Sequence, residues 1–233
     1  MATISTTAQS LAGQQFLDYE WLVIDGASTD TTLEIVDRYP LAGKRVYSAP
    51  DKGIYDAMNT AIGMAHGDWV YFLNSGDEFK DQSVLLGIST AIDQYKDVEL
   101  FWGDMVYVAA NYERLRRFRH ISHRTLIFDD LNHQSIFARR SLFSRFGKFN
   151  LNFRTSADYD WLIRVFRGGV YYRYIPRVIA RFAVGGAHSV DPEALMAERQ
   201  RLRLQYISLK RLRLGAFVSR VRRRFRMAIG HGG

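Results

Sequence analysis

Four polar or small residues follow a short apolar run in the first half of the chain. The run at residues 69–73 ends in Asn74, Ser75, Gly76 and Asp77. A buried strand that delivers polar groups at its carboxyl end is where open α/β sheets build ligand sites. An amide and a carboxylate at that place can contact a nucleotide or hold a hard divalent cation. The alternative interpretation of the same four residues is a plain turn.

A second carboxylate, Asp25, directly follows the apolar run at residues 20–24. If the two runs are neighbouring strands, Asp25 and Asp77 point into one crevice, where one can bind a base or ribose and the other a cation. In the alternative interpretation Asp25 only begins a turn, and Ser28 or Asp30 caps the helix that follows.

The elements that must position these residues alternate along the chain. Apolar runs at residues 20–24, 45–47 and 69–73 predict strands, and helical patterns at residues 33–39 and 54–65 separate them. This alternation predicts an α/β fold with a mostly parallel sheet flanked by helices. Later patterns predict mixed or antiparallel strands within residues 100–119 and helices at residues 141–146 and 156–167.

Composition bounds the class of protein. The 233 residues are 47% hydrophobic and contain no cysteine, which excludes disulfides and thiolate metal sites. Eleven of the 32 basic residues and none of the 24 acidic residues lie within residues 199–233, so the rest of the chain is slightly acidic. No apolar run reaches the roughly 18 residues of a membrane-spanning helix, and the start lacks the pattern of a signal peptide.

Several motifs in order resemble one family. They are IDGASTDTT at residues 24–32, DKGIYDAMN at 51–59, FLNSGD at 72–77, NHQ at 132–134, GKF at 147–149, ADYD at 157–160 and GGAH at 185–188. Together they resemble family 2 glycosyltransferases of the GT-A (Rossmann-like) fold, especially bacterial enzymes that build surface polysaccharides. The resemblance covers roughly residues 3–190.

The resemblance implies roles for individual positions. It implies nucleotide contacts for Asp25, Ser28, Asp51, Gly53, Asn59 and Asn74, metal or diphosphate contacts for Asp77 and His188, and a catalytic base at Asp158. The cation would be Mn²⁺ or Mg²⁺. Asn74 stands where the family usually has Asp, and Ala157 where many relatives have Glu. The residues alone favour a different interpretation of Asp158, as a first-turn carboxylate that stabilises a helix, and the resemblance favours the base.

Three further residues are expected on the acceptor side of the site. His133 and Gln134 lie there by the resemblance, although a single histidine is often a structural, hydrogen-bonded residue. Asp104 follows the apolar run at residues 100–102 and is a candidate for the acceptor pocket. A turn at the end of a strand would explain Asp104 as well.

The basic tail predicts a second unit. We expect a glycosyltransferase domain at residues 1–190 and a basic amphipathic helix at residues 191–233, opened by Asp191 and Pro192. Its apolar residues and eleven basic side chains favour contact with an anionic membrane surface. The alternatives are packing on the body of the protein and binding of nucleic acid. No nucleic-acid-binding motif supports the last alternative.

The beginning of the chain departs from the family. Family members begin with an interior strand, whereas this chain starts inside the expected first helix, at roughly residues 3–15. Loss of that strand should leave backbone groups of its neighbours unpaired. We expect a shortened start and, as a consequence, weakened or absent donor binding.

The resemblance therefore implies an inverting, metal-assisted glycosyltransferase. It would move a sugar from a nucleoside diphosphate donor to a hydroxyl of a lipid-linked glycan acceptor in surface-polysaccharide synthesis. We expect it in the cytoplasm, at the inner face of the membrane. Two alternatives remain: a catalytically impaired fragment that binds nucleotide sugars, and an adaptor that binds membrane or nucleic acid on an α/β scaffold.

Overall fold

A computed structural model describes residues 3–41, 43–129, 131–185 and 192–206. Its strands are β1 (Trp21–Asp25), β2 (Lys44–Ser48), β3 (Trp69–Val70), β4 (Glu78–Phe79), β5 (Leu100–Ala109), β6 (Tyr112–Arg116), β7 (Ile136–Arg139) and β8 (Tyr172–Ala183). Its α-helices are α1 (Ile4–Ala12), α2 (Thr32–Asp37), α3 (Ile54–Met64), α4 (Val84–Gln94), α5 (Ser141–Phe146), α6 (Ala157–Arg167) and α7 (Pro192–Tyr206). The predicted α/β class is confirmed.

The strands form two sheets. Strands β1 and β2 make a parallel pair, and the other six make a mixed sheet with the order β3-β7-β5-β8-β4 and β6 beside β5. Four of the six strand pairs are antiparallel, where the sequence pattern predicted a mostly parallel sheet. The physical reason is partly local: only residues 110–111 separate β5 from β6, and so short a connection joins antiparallel strands.

The separation of the β1–β2 pair from the larger sheet is relevant to the first strand, which the sequence predicted to be missing. Residues 4–12 form a helix, as the sequence predicted, and do not fill a place in either sheet. Within the described ranges β1 pairs only with β2, and β3 pairs only with β7. Glu20 bridges the two strands at their starts, where its Oε1 accepts the backbone N–H groups of His66 and Gly67 at 2.6 and 2.9 Å.

The main core lies between the larger sheet and helices α3, α4 and α6. Strand β5 runs through it with residues 100–106 buried, and Trp102 is 1% exposed. Burial of large aromatic and aliphatic side chains is the dominant favourable term in folding. A second, much smaller cluster joins Ile4, Val23 and Val36 beneath the β1–β2 pair. The strand that carries Asp25 therefore has its own small core.

Helix α6 shows why this segment is helical and where it ends. Asp158 and Asp160 lie in its first turn, and Arg164 and Arg167 in its last, which matches the helix dipole at both ends. The helix stops at Gly168, where an added Cβ would lie 2.1 Å from the ring of Phe146. The first turn of α6 thus presents a carboxylate from a helix that is buried along most of its length.

Helix α7 packs on the body. Its Glu198 accepts the backbone N–H groups of Arg154 and Thr155 just before α6, and Leu202 is fully buried. The beginning of the predicted tail is therefore in contact with the domain, while residues 207–233 lie outside the described residues. Among the helices that the structure describes, none is both long enough and apolar enough to span a membrane.

Candidate active site

Asp158 is a carboxylate with hydrogen bonds to both of its oxygens. Its Oδ1 accepts the Tyr55 O–H at 2.9 Å and the Tyr159 backbone N–H at 2.8 Å. Its Oδ2 lies 2.9 Å from Nδ1 of His133. The side chain is 15% exposed. Burial acts to raise the pKa of Asp158, but the hydrogen bonds from His133 and Tyr55 outweigh burial and lower it.

His133 joins this carboxylate to the turn after β3. It lies in a short 3-10 helix, His133–Ser135, which Asn132 anchors by accepting the Tyr107 O–H at 2.8 Å. The other ring nitrogen of His133, Nε2, lies 3.0 Å from Nδ2 of Asn74. Residues that the sequence assigned separately to the nucleotide, the acceptor and the base thus lie in one cluster.

Sequence reasoning missed Tyr55, which completes this cluster from α3. Tyr55 is 7% exposed, and burial raises the pKa of its hydroxyl well above the usual value, with the nearby Asp158 charge adding to the effect. The available signal was weak. Tyr55 lies within the DKGIYDAMN motif, but a tyrosine on an amphipathic helix is usually a core residue.

Asp77 is buried, at 3% exposure, and its carboxylate binds protein groups. Oδ1 accepts the backbone N–H of Ala183 at the end of β8, at 3.0 Å, and Oδ2 accepts Nε2 of Gln134 at 3.1 Å. The hydroxyl of Thr7 donates to the Asp77 carbonyl at 2.8 Å. Asp77 therefore connects α1, the larger sheet and the 3-10 helix through its hydrogen bonds.

These contacts test the predicted metal site. Each oxygen of the Asp77 carboxylate already accepts a hydrogen bond, from Ala183 or Gln134, and the adjoining Gly76 offers no side-chain ligand. Among the residues that the structure describes, no group of three or more His, Asp or Glu side chains is placed to share a metal ion. His188 lies outside the described residues. The described side chains at this turn do not fit a divalent cation.

The carboxyl ends of β1 and β2 carry residues that the sequence predicted to contact a nucleotide. Asp25 and Ser48 are opposite in register, and the Ser48 hydroxyl donates to Asp25 Oδ2 at 2.6 Å. The same oxygen accepts the Ser28 backbone N–H at 3.0 Å. Burial raises the pKa of Asp25, but these hydrogen bonds from Ser28 and Ser48 outweigh burial and lower it. Asp25 is therefore an ionised carboxylate at neutral pH.

The Asp51 loop packs against the Asp25 loop. A Cβ added at Gly26 would lie only 2.8 Å from Oδ2 of Asp51, so the close approach requires glycine. Oδ1 of Asp51 accepts the Gly53 N–H at 2.8 Å, and Gly53 has φ +113, which glycine adopts readily. Asp25, Ser28, Asp51 and Gly53 are thus brought together, as the sequence predicted for a nucleotide site.

Two predicted site residues have other partners. Both ends of the Asn59 amide bind the Phe149 backbone, with Nδ2 donating and Oδ1 accepting at 2.9 Å each. Asp104 is 5% exposed and accepts the Phe118 N–H and the Tyr174 O–H, each at 2.9 Å. In this structure their hydrogen-bonding groups hold segments of the chain together, and the nucleotide role of Asn59 and the acceptor role of Asp104 stay predictions.

Comparisons with known proteins give one family match and several related glycosyltransferases. Residues 2–166 match the family model described as "Glycosyl transferase family 2". A "PGL/p-HBAD biosynthesis glycosyltransferase" of Mycobacterium bovis is 33% identical over 221 residues, which cover 90% of this chain and 86% of that protein. The "Putative teichuronic acid biosynthesis glycosyltransferase TuaG" of Bacillus subtilis is 34% identical over 80 residues, 33% of this chain and 32% of that protein.

Solved structures share the fold. S. aureus TarS in complex with UDP-GlcNAc superposes with a TM-score of 0.72 at 21% identity, over 86% of this chain and 61% of that one. The mannosyltransferase PcManGT from Pyrobaculum calidifontis, in complex with GDP-Man and Mn²⁺, gives a TM-score of 0.61 at 17% identity, over 80% of this chain and 55% of that one. This chain thus spans less than two thirds of either solved chain.

Proposed function

This chain belongs to glycosyl transferase family 2 and is a glycosyltransferase, and on that premise we propose what it transfers and how. The donor is a nucleoside diphosphate sugar, and the acceptor is a hydroxyl group of a glycan in polysaccharide synthesis. The reaction inverts the configuration at the sugar carbon. The observation that carries this proposal is the geometry of Asp158. This carboxylate is ionised, is held by hydrogen bonds, and lies beside the turn that runs from Asn74 to Asp77.

Asp158 has the properties of a general base. In a single displacement the acceptor oxygen attacks the sugar carbon and its proton passes to Asp158. The bond to the diphosphate breaks and the diphosphate leaves with the electron pair. A positioned base typically contributes a factor of about 10² to 10⁴ in rate. A base of this kind needs no covalent intermediate, which is why we propose inversion.

The nucleotide side is supplied by the ends of β1 and β2. The ionised Asp25 can accept hydrogen bonds from a base or ribose, and the Asp51 loop lies next to it across Gly26. The carboxyl ends of parallel strands are the usual place for nucleotides in α/β folds. The UDP-GlcNAc and GDP-Man complexes of TarS and PcManGT support a nucleotide sugar as the donor class.

The resemblance implies Mn²⁺ or Mg²⁺, and PcManGT binds Mn²⁺. The contacts of Asp77 with Ala183 and Gln134 do not fit that role, so no step above depends on a metal. Calorimetry of nucleotide binding with and without Mn²⁺ decides whether a cation takes part.

The full chain can be tested for donor binding and turnover. The sequence alone led us to expect weakened or absent donor binding. Because the Asp25 and Asp51 loops are assembled, we now expect calorimetry to detect binding of either UDP or GDP. We also expect slow hydrolysis of sugars carried on that nucleotide, measured as released diphosphate. Binding without any turnover would instead support the catalytically impaired fragment. Absence of binding to both nucleotides would contradict the proposal and favour the adaptor.

We further propose that the acceptor is lipid-linked and that the protein works at the inner face of the cytoplasmic membrane. Residues 199–233 carry eleven basic and no acidic side chains, and each such charge near an anionic surface contributes about 1 kcal/mol. We expect the full chain to sediment with vesicles containing phosphatidylglycerol and to dissociate at high salt. Equal sedimentation with neutral phosphatidylcholine vesicles, or none with either, would contradict this prediction.

A further inference from the structure

Four side chains from four separate segments form a continuous chain of hydrogen bonds through the site. Asn74 meets Nε2 of His133 at 3.0 Å, Nδ1 of His133 meets Asp158 at 2.9 Å, and Tyr55 meets the other Asp158 oxygen at 2.9 Å. We call these four residues the positioning chain. His133 and Asp158 are 13% and 15% exposed, so water screens the chain weakly.

The hydrogen bonds fix which atoms carry protons. Asp158 is ionised and can only accept, so Nδ1 of His133 must carry the hydrogen of that bond. Nδ2 of Asn74 is a donor, so Nε2 of His133 must be the acceptor. A histidine with one donor and one acceptor nitrogen is neutral. The buried charge of the positioning chain is therefore a single negative charge, on Asp158.

We propose that Asn74 and Tyr55 are positioning residues for Asp158. Tyr55 binds one carboxylate oxygen directly, and Asn74 acts through His133, which it holds as a neutral imidazole with its hydrogen toward Asp158. The inference deepens the proposed function, on which its consequences for activity rest.

The amide at position 74 matters because of what a carboxylate would do there. An Asp at this position would only accept hydrogen bonds, so Nε2 of His133 would need a proton too. The resulting imidazolium would stabilise the ionised form of Asp158 and weaken it as a proton acceptor. With Asn74 in place, His133 donates to Asp158 from a neutral ring, which stabilises the ionised carboxylate less than an imidazolium would. The charge of Arg199 on α7 also lowers the pKa of Asp158. Asn74 thus keeps Asp158 a stronger base.

Nuclear magnetic resonance tests the protonation of His133 without any substrate. In the full chain labelled with ¹⁵N, we expect the ring nitrogens of His133 to show one protonated and one unprotonated nitrogen at neutral pH, with the hydrogen on Nδ1. The signals are assigned by their loss in His133→Gln. In Asn74→Asp we expect both nitrogens to be protonated. An imidazolium in the native chain, or a neutral His133 in Asn74→Asp, would overturn the proposal even if the protein proved inactive.

The pH profile of donor hydrolysis separates positioning from structural support. Tyr55→Phe removes a hydrogen bond to ionised Asp158, so the acid limb of kcat should move to higher pH. Asn74→Asp should move the same limb to lower pH and reduce kcat about threefold or more. In Asn74→Asp/His133→Gln the downward shift should disappear, because no imidazolium can form.

A matched control uses the same chemical change away from the site. Tyr19 donates its hydroxyl to the Leu11 carbonyl at 3.3 Å and has no contact with Asp158. Tyr19→Phe should leave the acid limb in place. If Tyr55→Phe and Tyr19→Phe give the same profile as the native chain, Tyr55 is not a positioning residue and that half of the proposal fails.

Discussion

Asp158→Asn is expected to lower the rate of sugar transfer by about 10²- to 10⁴-fold while nucleotide binding stays close to that of the native chain. The asparagine oxygen can still accept from Tyr55 and the Tyr159 backbone, so the first turn of α6 should remain in place. An amide cannot take the acceptor proton at neutral pH. Released nucleoside diphosphate measures turnover, and calorimetry measures nucleotide binding.

Asp160→Asn is the matched control, because Asp160 lies in the same helical turn and makes only structural contacts. Its carboxylate binds Arg164 at 3.0 Å and the Tyr206 hydroxyl at 3.1 Å. We expect this variant to be less stable but to transfer sugar within a few-fold of the native rate. Equal rates in the two variants would show that Asp158 stabilises a helix and is not the base.

Asp77→Ala is expected to have the largest effect on stability among the predicted site residues. It would leave the partly buried Ala183 N–H and the buried Gln134 amide without their acceptor, and fully buried groups of this kind cost about 1 to 3 kcal/mol each. We therefore expect the free energy of unfolding to fall by about 2 to 5 kcal/mol in the presence of a chelator. Asp77→Asn keeps one acceptor and should lose less.

Measuring stability with a chelator present distinguishes two roles of Asp77, metal binding and structural support. A residue that only bound a metal would leave the metal-free protein as stable as the native chain and would abolish Mn²⁺-dependent nucleotide binding. The control is Asp93→Ala, because that side chain is 72% exposed and should change stability by less than about 0.5 kcal/mol. Unfolding of Asp77→Ala at the native denaturant concentration would contradict the structural role.

The sequence predicted the helices and strands well because their signals are local. The carboxylate in the first turn of α6 and the helical start at residue 4 follow from patterns within a few residues. Strand direction is different, because pairing of β5 with β7 and β8 joins segments that are distant in sequence. The mixed character of the sheet was therefore only partly predictable.

The candidate site was also only partly predictable: its members could be predicted from the sequence, but their hydrogen-bond partners could not. The ordered motifs assigned Asn74, His133 and Asp158 to one site, as the resemblance implied. Motifs do not state which partner a polar side chain chooses. Asn59 binds a backbone 90 residues away, and this contact depends on the finished packing. The hydroxyl of Tyr55 was missed for the same reason, since its partner lies 103 residues along the chain.

The small β1–β2 sheet has a consequence for how donor affinity arises. A parallel pair with three buried apolar residues beneath it, Ile4, Val23 and Val36, is a marginal unit by itself. Such a unit opens at a lower free energy than the main core, and it carries Asp25 and Ser48. A nucleotide selects the closed population, so its observed dissociation constant equals the intrinsic one divided by the closed fraction. Affinity for the donor can therefore change through Val23 or Val36, residues that never touch it.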